Sequence, residues 1–408
     1  MSPLRYLNEI KPSGAPWLGD VPAHWVVKPL WSMYRQKKIT GYAEETLLSV
    51  YRDYGVIEKS SRDDNKNRAS EDLSGYQLVV NGDLVTNKMK TWQGSIAVSS
   101  LRGIVSPAYF VYAKLHDDNN TYLHHLLRSA PYVTGYQSIS KGIRVGQWDL
   151  EADKFRLFPV LIPPRPEQDA IVDHLDRATT RIDALVAKKT RFIELLREKR
   201  QALITHAVTK GLDRGAAMKD RGVEWLGVVP AHWDVVRGSA VFVECKAKND
   251  QLVSENYLSL MANIGIIPYE EKGDVGNKKP EDVRKCKLVD PGDFVLNSMN
   301  YAIGSYGVSS YSGVCSPVYV VMKHRPEVAD PKFLDLILSN PSYQNYAESF
   351  GTGILDHRRA IGWDEIQVIR VPLPPLDEQA EIAAWTISRR DRVDTLIAKT
   401  ERSIELLS

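Results

Sequence analysis

Apolar residues recur at steps of three and four over residues 167–210, as Ile171, Leu175, Ala178, Ile182, Leu185, Phe192, Leu196 and Leu203, with Lys189 and Lys199 interrupting. Polar residues fill the other faces, and no proline or glycine falls between Pro166 and Gly211. This period predicts one amphipathic helix with a coiled-coil-like seam, started by Pro163, Pro164 and Pro166 and stopped by Gly211. At 1.5 Å per residue it is a rod of roughly 65 Å. The seam returns as Ile382, Thr386, Val393, Leu396, Ile404 and Leu407, where RVDTLIAKTERSIELL at 392–407 answers RIDALVAKKTRFIELL at 181–196. A helix with an apolar stripe must bury it. The obvious partner of each is the other, paired antiparallel because each is tethered behind its own domain.

The segments ahead of these helices have a different rhythm. Short β-rich runs dominate, such as Gly75–Val80, Gly82–Thr86, Ile96–Ser99 and Ala108–Tyr112, broken by NG, GD and SP turn signals. Helical stretches follow near Thr121–Ser129 and Pro331–Leu338. These segments are also duplicated. WLGDVPAHW at 17–25 returns as WLGVVPAHW at 225–233, and PPRPEQDAI at 163–171 returns as PPLDEQAEI at 374–382. GDLVTNKMKTWQGSIAVSSLRGIVSPAYFV at 82–111 returns at 292–321 with 15 of 30 residues identical. A period near 210 residues is too long for a solenoid repeat. Each copy is therefore a whole domain with its helix. The expected fold is mixed α/β: two similar globular heads joined by two long antiparallel coiled-coil-like helices, with pseudo-twofold symmetry. The expected limits are 1–162 and 213–373 for the heads, 163–212 for the central helix, and 374–408 for a shorter C-terminal helix.

Composition narrows the class. At 408 residues, 43% hydrophobic and 25% charged, the chain reads as soluble, globular and multi-domain. No apolar run reaches the ~20 residues of a membrane span, and the N-terminus lacks an apolar signal core. Cys245, Cys286 and Cys315 all lie in the second copy and form no CxxC pair, which disfavours a disulfide frame or zinc site and fits a reducing cytoplasm. The net charge of +2 neither demands nor forbids nucleic acid.

Two variable heads, each followed by a PPxxEQ-led helix, with WLGxVPAHW and GDxVxNxM as support, resemble the specificity subunit of type I restriction–modification enzymes over essentially the whole chain. The resemblance implies that each head is a target recognition domain reading one half of a split DNA sequence, and that the helices set the unread gap. It implies no catalysis by the chain itself. The partners it implies are double-stranded DNA, two methyltransferase subunits that use S-adenosylmethionine, and restriction subunits driven by ATP and Mg. The second conserved helix is short for the family.

Other chemistry finds little support. Asn340-Pro341-Ser342-Tyr343 resembles an adenine-binding NPPY motif, and Phe350-Gly351-Thr352-Gly353 a cofactor glycine turn. They stand in the wrong order and too close together for a cofactor-binding strand–turn–helix. No P-loop exists. Asp293 in Gly292-Asp293, matched by Gly82-Asp83, reads as a turn into a strand rather than as a metal ligand. His24 and His232, in the duplicated PAHW blocks, read as packing residues beside Trp25 and Trp233. A free-standing methyltransferase or nuclease, and a two-headed spacer between protein partners, remain the alternatives.

Duplex recognition needs Lys and Arg for phosphates, and Arg, Lys, Asn or Gln for base edges. Positions shared by the two heads should build the scaffold, and positions that differ inside a matched loop are candidates to read different half-sites. Over Asn87–Ser95 the first head carries Lys88, Lys90, Trp92 and Gln93. Over Asn297–Ser305 the second carries Asn297, Asn300 and Tyr301. A second pair of loops is glycine-rich and basic: Ser138–Trp148 with Lys141, Arg144 and Gln147, and Gly351–Trp363 with His357, Arg358 and Arg359. Basic residues of the central helix, among them Arg181, Lys188, Arg197 and Arg200, suit either spacer phosphates, a solvated face or a docking face.

Overall fold

The structure is a computed structural model, and it describes residues 9–62, 70–144, 147–274, 278–351 and 359–407. The side chains of Ile143, Arg144, Gln147 and Ala302 lie outside the described set. The chain forms two compact units, 1–183 and 184–408.

In the first unit, a four-stranded antiparallel sheet runs in the order Tyr34–Lys37, Tyr109–Lys114, Leu84–Asn87, Ile96–Val98. Its inner strand Leu84–Asn87 sends apolar side chains to both faces, because each face is covered and alternate residues point to opposite sides. Leu84 joins the large cluster with Tyr122, Leu123, Tyr136 and Phe155, below the helices Asn120–Arg128 and Ala130–Ser138. Val85 points the other way, to Leu48, Val50, Val56 and Val105 under the hairpin Leu48–Tyr51/Gly55–Glu58. The chain returns through Pro159–Ile162, which pairs with Val26–Pro29 and leads into the long helix.

The second unit repeats this plan. Its four-stranded sheet has the order Phe242–Glu244, Tyr319–His324, Phe294–Asn297, Tyr306–Val308. Phe294 and Leu296 pack towards Phe333, Leu334 and Ile337, while Val295 packs towards Leu258, Leu260 and Ile266 of the hairpin Leu258–Met261/Gly265–Pro268. Helices Pro331–Leu338 and Pro341–Glu348 follow, and Arg370–Leu373 pairs with Asp234–Arg237. Even the helix caps correspond. The Asn119 side chain accepts from the Thr121 and Tyr122 amides, and Asp330 accepts from those of Lys332 and Phe333.

The central helix spans Arg165–Lys210 without a break, and the C-terminal helix spans Leu376–Glu405. Within the second unit they pack together. Ile193 and Leu196 bury against Ile397, with Val393 and Ile404 beside them. The ion pairs Arg197–Glu401 (3.0 Å) and Arg200–Asp394 (2.5 Å) ascend one helix while descending the other, so the pairing is antiparallel. The seam keeps Leu196, Val393 and Ile404 of the sequence expectation but takes Ile193 and Ile397 in place of their neighbours Phe192 and Leu396. Ile193 and Ile397 are buried, whereas Phe192 and Leu396 are 43% and 41% exposed. A pair of helices covers only a narrow stripe, and here two adjacent apolar faces compete for it.

The duplicated motifs weld each head to its helix. Glu167 accepts from Trp25 Nε1 at 3.0 Å and from His24 Nε2 at 2.7 Å, and Glu378 does the same for Trp233 (3.0 Å) and His232 (2.8 Å). His24 and His232 are thus hydrogen-bonding partners of a carboxylate rather than mere packing residues. The next residue, Gln168 or Gln379, is fully buried. Its amide oxygen accepts the backbone N–H of the residue that caps an earlier helix of the same head, Asn119 or Asp330. Its Nε2 donates to the carbonyl of Pro163 or Pro374. The PPxxEQ and PAHW motifs are one structural clasp seen from two ends of the sequence.

Candidate nucleic-acid interface

The loop after the second sheet strand makes the same turn in both units. A 3-10 turn, Thr91–Gln93 or Tyr301–Ile303, is closed by a left-handed glycine, Gly94 (φ 95°) or Gly304 (φ 85°). Only glycine adopts this conformation without strain. The shared asparagine starts the turn, Asn87 Oδ1 accepting from the Met89 amide and Asn297 Oδ1 from that of Met299, both at 3.1 Å. The loop leans on the hairpin ahead of it. In the first unit Ser95 Oγ donates to the Val50 carbonyl at 2.9 Å, and in the second the Asn263 amide donates to the Gly304 carbonyl at 3.0 Å.

Between loop and hairpin each unit has a cleft. The first, of about 850 Å³, includes Ser49, Tyr51, Arg52, Asp53, Lys59, Asn87, Lys90, Gln93, Ser95 and Tyr109 in its lining. The second, of about 370 Å³, includes Ser259, Met261, Ala262, Lys272, Asn297, Asn300, Ile303, Ser305 and Tyr319. At an offset of 210, Ser49, Asn87, Ser95 and Tyr109 match Ser259, Asn297, Ser305 and Tyr319. Tyr51, Arg52, Lys90 and Gln93 are replaced by Met261, Ala262, Asn300 and Ile303. One cleft frame therefore carries two different sets of side chains.

The candidate residues divide accordingly. Lys90, Gln93 and Asn300 are exposed in the clefts. Lys88 is engaged elsewhere, donating to the Pro107 carbonyl at 2.7 Å with its ammonium 4.7 Å from the Phe110 ring. Trp92 braces the loop, donating to the Met89 carbonyl and lying 4.9 Å from the Trp148 ring. Tyr301 is a correction. It is 1% exposed, in the core with Phe294 and Phe333, and its hydroxyl donates to the Leu338 carbonyl at 2.8 Å, so it holds the loop down and cannot meet a ligand. Asn297 is also mostly buried and serves the turn, with one side on the cleft.

In the second pair of loops, Lys141 is exposed and pairs with Glu151 at 3.2 Å. Arg144 and Gln147 face each other across the backbone of the hairpin Ser140–Arg144/Gln147–Leu150, and their side chains lie outside the described residues. His357 and Arg358 also lie outside them, and Arg359 is half-buried.

Arg52, Lys59, Met261 and Ala262 were missed by the sequence reading. A signal was present: LLSVYRDYGVI at 47–57 and YLSLMANIGII at 257–267 align at the same offset of 210, with the differences gathered in the turn.

The first hairpin is anchored from behind. Arg128 Nη2 donates to the Arg52 carbonyl at 2.6 Å, and Nη1 donates to His124 Nε2 at 2.7 Å. With Nδ1 donating to the Val98 carbonyl, this network assigns the neutral tautomer to His124. Burial pushes the His124 pKa down to about 4, against its hydrogen bond to Val98, and burial likewise lowers His116 to about 4. Both rings are neutral in the fold and take up protons in the unfolded chain below about pH 6.5. Their contribution is complete above that pH and is lost as the pH falls towards 4. The first head is therefore expected to melt progressively lower from pH 6.5 to 4.5, and His124→Gln to melt with a shallower pH slope. Calorimetry over a pH series checks this, and an unchanged slope in the variant would clear His124 as a source.

The acidic and NPSY motifs have structural work. Asp83 and Asp293 accept from the Val80 and Asp290 amides in matching turns. Asn340 caps the helix Pro341–Glu348 through the Ser342 amide and donates to Thr205 of the central helix. Among the described residues, no group of three or more His, Cys, Asp and Glu side chains is placed to hold a metal ion, and no helix is long and apolar enough to cross a membrane.

No protein-family model matches the chain. It is 24% identical over 341 residues to the MjaX specificity subunit ascribed to a type I restriction enzyme of Methanocaldococcus jannaschii, covering 80% of this chain and 75% of that protein. It is 20% identical over 401 residues to the type I restriction enzyme EcoKI specificity subunit of Escherichia coli, covering 89% and 82%. Among solved structures, a chain from a type I restriction–modification system, studied for its assembly and conformational transition, superposes with a TM-score of 0.60 at 15% identity, covering 95% of both chains. The HsdS subunit from Thermoanaerobacter tengcongensis superposes with a TM-score of 0.54 at 18% identity, covering 94% of this chain and 92% of that one. At these identities the structural likeness speaks for the fold.

Proposed function

We infer that this chain, a non-catalytic specificity subunit of the type I restriction–modification family, reads a bipartite DNA site with one half-site per head. The observation that carries this reading is the repeated cleft: a constant frame with different side chains at the same four positions. A protein that recognises two different half-sites with one fold needs that arrangement, since base edges are told apart by donor and acceptor placement while the frame sets the approach. Lys90, Gln93 and Arg52 serve the first half-site, and Asn300, Ile303 and Met261 the second. Lys88, Trp92, Asn297 and Tyr301 position the loops. Lys141, Arg144, Gln147, His357, Arg358 and Arg359 of the second loop pair supply further phosphate or base contacts.

The domain limits follow from this division of labour: recognition in 1–162 and 213–373, spacing and docking in 163–212 and 374–408. Two methyltransferase subunits with S-adenosylmethionine, and restriction subunits with ATP and Mg, supply the chemistry the chain lacks.

The test is half-site selectivity. Lys90→Ala is expected to weaken binding only for the first half-site, and Asn300→Ala only for the second. Each lost base contact costs about 1–3 kcal/mol. Binding profiles over a library of bipartite duplexes, at several salt concentrations, measure it. Uniform weakening across all sequences would make these residues phosphate contacts, and a chain whose duplex binding ignores salt would not be a DNA reader.

A further inference from the structure

We propose that the two clefts select chemically different base pairs: the first takes a guanine-containing pair, and the second takes an adenine–thymine pair. This rests on the reading of the clefts as DNA-facing surfaces and adds the base class to it.

The two clefts differ at the four exchanged positions. In the first cleft two of them are cationic. Lys90 is exposed on the loop. Arg52 stands opposite on the hairpin, where its Nε donates to Asp53 Oδ1 at 3.1 Å and its main-chain carbonyl is held by Arg128. Guanine presents two adjacent acceptors, N7 and O6, in the major groove, and Arg or Lys is the matching donor. Adenine offers a donor beside its acceptor, so a cation there meets an N–H₂ group instead. Asp53 adds a carboxylate at the same tip, and a carboxylate accepts from the cytosine amino group of the paired strand.

In the second cleft both cations are gone. Arg52 becomes Ala262 and Lys90 becomes Asn300, while Gln93 becomes Ile303 and Tyr51 becomes Met261. The lysine that remains, Lys272, is itself buried, with its ammonium 4.7 Å from the Tyr269 ring. Asn300 is exposed and carries the donor and acceptor that pair with adenine N7 and N6. Ile303 is 55% exposed at the cleft edge. An exposed isoleucine gains from covering an apolar group, and the major groove offers one such group on its base edges, the thymine methyl. The smaller volume of this cleft, about 370 Å³ against 850 Å³, fits short apolar contacts better than long hydrated cations.

The experiment exchanges the two chemistries in the full chain. One variant is Arg52→Ala with Lys90→Asn, and the other is Ala262→Arg with Asn300→Lys. All four positions are exposed, so the fold is expected to persist, and melting curves check that it does. The probe is a duplex library with two randomised tracts at varied separation, selected for binding and sequenced. For the unaltered chain we expect guanine enriched in one tract and adenine or thymine in the other. The first variant should lose guanine preference by about tenfold or more in the first tract alone, and the second should gain it in the second tract. If each variant alters one tract but the Lys90-dependent positions prefer adenine or thymine, the base assignment is overturned while the clefts remain DNA-reading surfaces. If neither variant alters either tract, the clefts do not read DNA and both conclusions fall.

Discussion

Replacing Gln379 with leucine is expected to lower the melting temperature of the second unit by on the order of 10 °C. The side chain is fully buried and makes three hydrogen bonds: it accepts from the Asp330 amide at 2.9 Å and donates to the carbonyls of Val328 at 3.0 Å and Pro374 at 2.8 Å. Leucine fills similar space and satisfies none of them. Each buried polar group left without a partner costs about 1–3 kcal/mol, so the total is about 3–5 kcal/mol once relaxation is allowed. For a unit of this size each kcal/mol lowers the midpoint by about 2–4 °C. The damage also has a location. Asp330 caps the helix Pro331–Leu338, and Pro374 leads into the C-terminal helix, so the substitution loosens the joint between head and helix. Gln168→Leu should do the same to the first unit, where Nε2 donates to Asp118 and Pro163 and the oxygen accepts from the Asn119 amide. Calorimetry of the full chain reads both transitions. A shift below about 2 °C, less than the smallest cost of one orphaned group, would mean that the glutamine is an ornament of the motif and not its anchor.

Inserting four residues after Lys188 is expected to move the preferred gap between half-sites while leaving both half-site sequences unchanged. The central helix is continuous from Arg165 to Lys210, and its pairing with the C-terminal helix is carried by Ile193, Leu196 and the ion pairs beyond them. Lys188 is exposed and lies outside that pairing, so an insertion there leaves the packed seam intact. Four residues add ~6 Å of rise and slightly more than one turn, which returns the helix faces roughly to phase. At ~3.4 Å per base pair the gap should lengthen by one or two pairs. Two half-sites read together must keep their spacing in register with the duplex. Duplexes with the original gap should therefore bind at least about fivefold more weakly, as expected when contacts worth about 1–3 kcal/mol are forfeited. Selection from a library with variable spacers measures the shift. An unchanged gap would show that the distance is set by something other than these helices.

Much of this molecule is legible in its residues. The period of 3.6 gave a helix expected over 167–210 and found over Arg165–Lys210. The β-rich runs and turn signals located four strands of the first head to within about two residues. The duplication foretold one strand order used twice, which the two four-stranded sheets bear out. These features are local: a helix period, a turn glycine and a proline act within a few residues, and repetition makes each legible a second time.

What the sequence left open was decided by which surfaces meet. Phe192 and Ile193 are equally apolar, and only the approach of Ile397 determines that the second is covered. Tyr301 stands at a variable loop position and looks like a reading residue, yet its neighbours Phe294 and Phe333 draw it into the core. Glu167 and Trp25 are 142 residues apart, and no pattern along the chain pairs their motifs. The clefts themselves arise because a hairpin at 48–58 folds against a loop at 87–95, uniting two short stretches whose differences between the copies mean little separately. Local steric rules fix an element from its own residues, whereas burial is shared among residues far apart in the chain and is settled only when the faces are brought together.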